Sequence, residues 1–185
     1  MTRSELEHAI RAACDVAGDT EVYVFGSQAI LGQYPDAPEA LRQSAEVDIA
    51  LKNRTEKSDH VDGALGELSM FHETHGFYVH GLSIEAACLP AAWESRAVIV
   101  QNANTRYNKG ICLEAHDLAA SKLVASRDKD RQFVRVLIQE QMIDPEKLVR
   151  TIRQLPIETN EQLRLIQWVK LTEADVKIDS NPPAV

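Results

Sequence analysis

The chain has 185 residues, 44% of them apolar and 26% charged, the balance of an ordinary folded protein, which excludes a disordered or fibrous chain. That length carries one core, or one core with a helical appendage, since domains commonly run to roughly 100–200 residues. A formal net charge of −8 argues against broad non-specific nucleic-acid binding, which depends on phosphate neutralisation by Lys and Arg, although it leaves room for a local basic patch. No apolar run reaches the roughly 18 residues of a membrane span, and Met1 to Ala13 is charged and amphipathic rather than signal-like. A cytoplasmic protein with no membrane partner is expected. Cys14, Cys88 and Cys112 lack a CxxC or a neighbouring His pair, so they are expected to be reduced and partly buried, with neither a disulfide framework nor a zinc site.

From the N-terminus, Leu6, Ile10, Ala13, Cys14 and Ala17 fall at helical spacing within Ser4 to Ala17, and Ser4 with Glu7 fits a capping box. Gly18 and Asp19 break that helix before Glu21 to Phe25, whose valines and aromatics predict a strand ended by Gly26 and Ser27. Gln28 to Gln33 predicts a helical turn, and Tyr34 to Arg42, with Pro35 and Pro38, a loop or broken helix. Glu46 to Leu51 alternates acidic and apolar residues like a strand with one polar face. Asp59 to Thr74 predicts one helix, and Phe77 to Ile84 a third strand interrupted by Gly81. Arg96 to Gln101 and Ile111 to Leu113 predict two more strands. Helices then follow at Ala115 to Arg127, Lys129 to Glu140, Pro145 to Gln154 and Glu158 to Val169. The resulting expectation is an α/β core at 1–113 built on a mixed sheet flanked by helices, a C-terminal helical lobe at 114–171, a frayed tail at 172–185, and a cleft between the lobes.

The chemistry concentrates at Gly26-Ser27 and at Glu46-Val47-Asp48-Ile49. A glycine directly after an apolar strand lets the backbone turn tightly against a ligand, and Ser27 offers a hydroxyl and an amide to a phosphate. Glu46 and Asp48, two apart on a strand, point their carboxylates to one face, where they can share a hard cation such as Mg2+. Each piece also has a plain reading: Gly-Ser ends many strands, and Glu-x-Asp is often the solvated face of an edge strand.

Together these strings resemble the signature of the polymerase-β nucleotidyltransferase superfamily. The segment Glu114-Ala115-His116-Asp117-Leu118-Ala119-Ala120-Ser121-Lys122-Leu123, with Arg127-Asp128-Lys129-Asp130, resembles the helical half of bacterial nucleotidyltransferases related to abortive-infection toxins. Leu89-Pro90 and Trp93 to Arg96 are similar to an uncharacterised branch of that group. The resemblance implies that Gly26 and Ser27 contact NTP phosphates, that Glu46 and Asp48 bind Mg2+, and that Lys122 and Lys129 contact phosphate in the cleft. The last is compatible with Lys129-Asp130 opening a helix, where free amides favour an anion.

Three departures from the family pattern stand out. Glu46 occupies a position that is usually Asp, the connection from Ser27 to Glu46 is long, and His80 falls where a third carboxylate is expected. His80 then serves as a general base or a metal ligand, with Glu85 as an alternative carboxylate. His72 and His75, one helical turn apart, lack the matched carboxylate of a zinc site. The implied activity is Mg2+-dependent transfer of a nucleoside monophosphate from an NTP to a protein, RNA or small acceptor, with release of pyrophosphate, as in the toxin relatives. A cognate antitoxin is then conceivable, and Lys122, Arg127, Lys129, Arg131 and Arg135 would face an RNA acceptor. The competing expectations are a degenerate fold that binds nucleotide or a partner without turnover, and a subunit whose helical half packs on another chain.

Overall fold

A computed structural model describes residues 1–180. The chain folds as two compact units, Met1–Ala87 with Glu94–Glu114, and Cys88–Trp93 with the chain from Ala115 on. The first unit holds α1 (Arg3–Ala17), β1 (Glu21–Phe25), α2 (Ile30–Gln33), β2 (Glu46–Leu51), α3 (Ser58–Leu65), α4 (Met70–His75), β3 (Tyr78–Gly81), β4 (Val98–Val100) and β5 (Lys109–Cys112). The second holds α5 (Ala115–Ala125), α6 (Asp128–Gln139), α7 (Pro145–Ile152) and α8 (Thr159–Ser180). The α/β class with a mixed sheet, flanking helices and C-terminal helices is therefore what the chain adopts. Among the described residues no helix is long and apolar enough to cross a membrane.

The five strands run in the order β3-β2-β1-β5-β4. β1 pairs antiparallel with β2 and parallel with β5, β2 pairs parallel with β3, and β4 closes the far edge antiparallel to β5. Helix α1 lies against β1, β2, β3 and β5 and buries Leu6, Ala9, Ile10 and Ala13 completely. Its approach is close: a Cβ on Gly110 would fall 2.4 Å from Ile10 Cδ1. Val22 and Val24 share that face with Gly110 and, through the register, with Val47, Ile49 and Val79. Strand alternation then turns Glu46, Asp48, Tyr78 and His80 to the opposite face.

The local differences from expectation have local causes. Thr2 and Glu5, not Ser4 and Glu7, form the capping box of α1. Glu7 instead accepts hydrogen bonds from Arg3, Asn102 and Asn104, which pins the loop before β5. The single helix expected at 59–74 is two, because the chain leaves α3 at Gly66, passes through Leu68 at φ +65°, and restarts where the Ser69 hydroxyl accepts the His72 amide at 3.2 Å. The third and fourth strands are shorter than expected, and β5 begins two residues earlier. Glu85 lies in a 3-10 turn, Ile84–Ala86, rather than on β3.

In the helical unit, Leu118, Leu123, Val134, Leu137, Leu148, Ile152 and Val169 are buried. Asp144 caps α7 by accepting the amides of Glu146 and Lys147, and its own amide donates to His116 Nε2 at 2.9 Å. The segment Cys88–Trp93 is tied to this unit by the Ala91 amide on the Gln154 carbonyl. Helix α8 runs through Ser180, so residues 172–180 are helical where fraying was expected; the rest of that tail lies outside the described residues.

Candidate functional site

Strand β2 presents Glu46 and Asp48 side by side, and its parallel neighbour β3 sets Tyr78 opposite Glu46 and His80 opposite Asp48. The register thus brings the Glu46–Asp48 pair and His80 into one cluster. His80 Nδ1 lies 2.8 Å from Glu46 Oε1 and 3.4 Å from Asp48 Oδ1, and one ligand atom from each of the three falls within 4.8 Å of the other two. All three side chains are partly exposed, so a solute reaches them from water. Neighbouring ligands of an octahedral ion at about 2.1 Å sit about 3 Å apart, so the two His80 separations are compatible with residues that could hold a divalent cation.

Gly26, at φ +66° and ψ −170°, sits against this cluster in a backbone region that only glycine adopts readily. Phe25 pairs with Asp48 across β1 and β2, and a Cβ on Gly26 would fall 1.8 Å from Asp48 Oδ2. The 3-10 turn Ser27–Ala29 follows directly, so Ser27 is the residue next to the glycine that meets Asp48. Two residues that sequence reasoning missed hold the other end of the long connection. Gln28, fully buried, donates its Nε2 to the Ser44 carbonyl at 3.0 Å, and the Ser44 hydroxyl accepts the Glu46 amide at 3.1 Å. Only Gln28's position next to Gly26-Ser27 signalled this. Tyr78 was also missed; burial first, then the nearby charges of Glu46, Glu67 and Asp48, push its phenol above the ordinary range.

The other candidates go elsewhere. Glu85 accepts a hydrogen bond from the Ser83 hydroxyl and is outside the three-residue cluster. His72 packs at a tilt of 51° on Tyr78 with ring centroids 4.8 Å apart, while His75 packs on His8 and Phe71, each at 4.6 Å. These histidines fill an aromatic cluster and do not join His80 in the three-residue group. Lys122 and Lys129 belong to the helical unit. Lys122 is buried, donates to Asp130 Oδ1 at 3.0 Å and lies 4.6 Å over the Phe133 ring. Arg127 joins the same carboxylate at 2.6 Å. Burial alone would raise the Asp130 carboxyl, but the bonds from Arg127 and Lys122 outweigh it and hold that carboxyl below the usual range. Lys129 stands exposed in the first turn of α6.

A family model described as a nucleotidyltransferase of unknown function (DUF6036) matches residues 4–174. No curated protein and no solved structure matches the chain.

Proposed function

The chain belongs to that family of nucleotidyltransferases, and from this premise we propose that it transfers a nucleoside monophosphate from an NTP to an acceptor at the cluster on β2 and β3. The observation that supports the site is the convergence of Glu46, Asp48 and His80 beside the Gly26 turn. In this reading Glu46 and Asp48 hold a divalent cation, Mg2+ by resemblance, while the amide and hydroxyl of Ser27 receive phosphate oxygens. When bound, such a cation offsets charge on the phosphates and lowers the barrier to displacement. The acceptor hydroxyl attacks the α-phosphorus, the bond to the β-phosphate oxygen breaks, pyrophosphate leaves with the bonding electrons, and the acceptor proton passes to the cluster. Lys122 and Lys129 contact phosphate in the fuller form of the proposal; of the two, exposed Lys129 is the one whose ammonium is open to an anion.

A protein or small-molecule acceptor is preferred over RNA. Lys122 and Arg127 share the Asp130 carboxylate and Arg135 pairs with Asp175 and Asp179, so three of the five residues of the expected basic patch already meet a carboxylate. A toxin-like role with a cognate antitoxin rests on the resemblance of residues 114–130. A cytoplasmic setting accords with three free cysteines.

Calorimetric titration of the four NTPs with and without Mg2+, on wild type and Asp48→Asn, tests the core of this reading. Cation-dependent binding that disappears in the variant is expected, together with pyrophosphate release once an acceptor is supplied. Binding with the same Mg2+ dependence in the variant would remove the site. The 2.8 Å contact of His80 with Glu46 favours one second reading, a nucleotide-binding or partner-binding module without turnover, because the imidazole then answers the carboxylate in place of a cation. That reading requires NTP binding indifferent to Mg2+ and no pyrophosphate.

A further inference from the structure

We infer that the cation of this site is Mn2+ in preference to Mg2+, with His80 Nδ1 as a direct ligand beside Glu46 and Asp48; the inference rests on the nucleotidyl-transfer reading and specifies its metal. Where three carboxylates would present a hard, all-oxygen set, this cluster presents two carboxylates and one imidazole nitrogen. Mg2+ is small, keeps several waters and favours oxygen, so an imidazole in its inner shell gains little. Mn2+ accepts the same octahedral arrangement at slightly longer distances and binds nitrogen donors more readily. The separations of 2.8 and 3.4 Å from His80 Nδ1 to the two carboxylates bracket the edge of such an octahedron, about 3 Å, so the imidazole nitrogen lies at neighbouring-ligand distance from each carboxylate.

Positions have to stay open for phosphate oxygens and water, and this bears on which transition metal fits. Metals higher in the affinity order would also take these donors, but Zn2+ draws three protein ligands toward a tetrahedron with a single open position, too few for a bridging triphosphate. Mn2+ keeps three. The arrangement is also well anchored. Asp48 faces the Gly26 backbone, which has no Cβ to displace it, Glu46 is fixed through Ser44 and Gln28, and β3 sets His80 directly opposite Asp48. With 40% of its side chain exposed, His80 tolerates substitution without opening a core.

The test is pulsed electron paramagnetic resonance of the full chain loaded with Mn2+ alone, alongside calorimetric titrations with Mn2+ and with Mg2+. Wild type is expected to bind Mn2+ roughly tenfold more tightly than Mg2+ and to show the nitrogen coupling of a directly bound imidazole. Labelling the protein with 15N-histidine should change that coupling with no substitution at all. His80→Asp should lose the coupling and bring the two affinities together. Wild type that binds a cation, loses it in Asp48→Asn, yet shows no nitrogen coupling and no Mn2+ preference would overturn the inference while leaving the nucleotidyl-transfer site standing. No cation binding by wild type, with or without NTP, would overturn both.

Discussion

Gly26 and Asp48 are interlocked: the left-handed backbone at Gly26 leaves a space that the Asp48 carboxylate fills, and no larger residue at position 26 leaves that space. The turn that would cradle phosphate and the strand that would hold the cation therefore share one steric constraint. Gly26→Ala is expected to displace Asp48 and abolish cation-dependent NTP binding. It should also cost about 1–3 kcal/mol of stability from the forced backbone conformation alone, measurable by chemical denaturation. Full NTP binding in this variant would show that the turn and Asp48 act separately.

The buried pair in the helical unit makes a second prediction. Asp130→Ala leaves the Lys122 ammonium buried with one anion fewer, a loss of roughly 3–5 kcal/mol on urea unfolding. Lys122→Met combined with Asp130→Leu should recover most of it, since apolar replacements remove both desolvated charges and Arg127 is largely exposed. If Asp130→Ala unfolds at the wild-type midpoint, the pair is not structural, and phosphate binding becomes the better role for Lys122.

Acid stability has a definite sign. Asp19 and Asp130 both have an ordinary carboxyl value of 3.8 and are held below it. In Asp19, burial pushes upward, but bonds from Asn53, Thr20 and Glu21 prevail. A depressed folded-state value means that the stabilisation is fully present above the unfolded value and is lost as pH falls through the folded one. Unfolding free energy should therefore decline as pH drops below about 4, and Asp19→Asn should flatten that decline. A variant whose acid limb matches wild type would exclude Asp19 as a source of it.

Thiol reactivity offers a fourth check. Burial pushes the thiols of Cys14 and Cys112 up to about 12, while half-buried Cys88 is raised less, by burial and then by the charge of Glu161. With a chromogenic disulfide at pH 8, Cys88 should react first, and Cys14 and Cys112 only on unfolding. Three equal rates in the native protein would contradict this core.

How much of this was legible in the sequence depends on the range of the interactions involved. Glu46 to Leu51 announced itself because strand alternation is local, and Gly26-Ser27 because a chain reversal after an apolar strand needs few residue types. His80 was singled out by its place in a family pattern, but its contact with Glu46 follows from the β2–β3 register, which no local spacing encodes. The break between α3 and α4 was legible in hindsight from Gly66 and Ser69, yet Val61, Leu65, Leu68 and Phe71 hid it behind an uninterrupted helical period. The partner of Lys122 was hidden for a related reason: a lysine on a helix reads as solvated, and its contact with Asp130, eight positions on along the next helix, comes from packing that no local spacing encodes.

The parallel pairing of β2 and β3 has one more consequence. Such strands cannot form a local hairpin; they meet only after the chain has travelled through α3 and α4, and Glu46 and His80 are separated by 34 positions. The denatured chain therefore has no coordination sphere to offer, and an ion seated on these donors acts as a wedge under the folded state alone. The melting temperature should climb with cation concentration, turning a calorimeter into a binding assay that needs neither nucleotide nor acceptor.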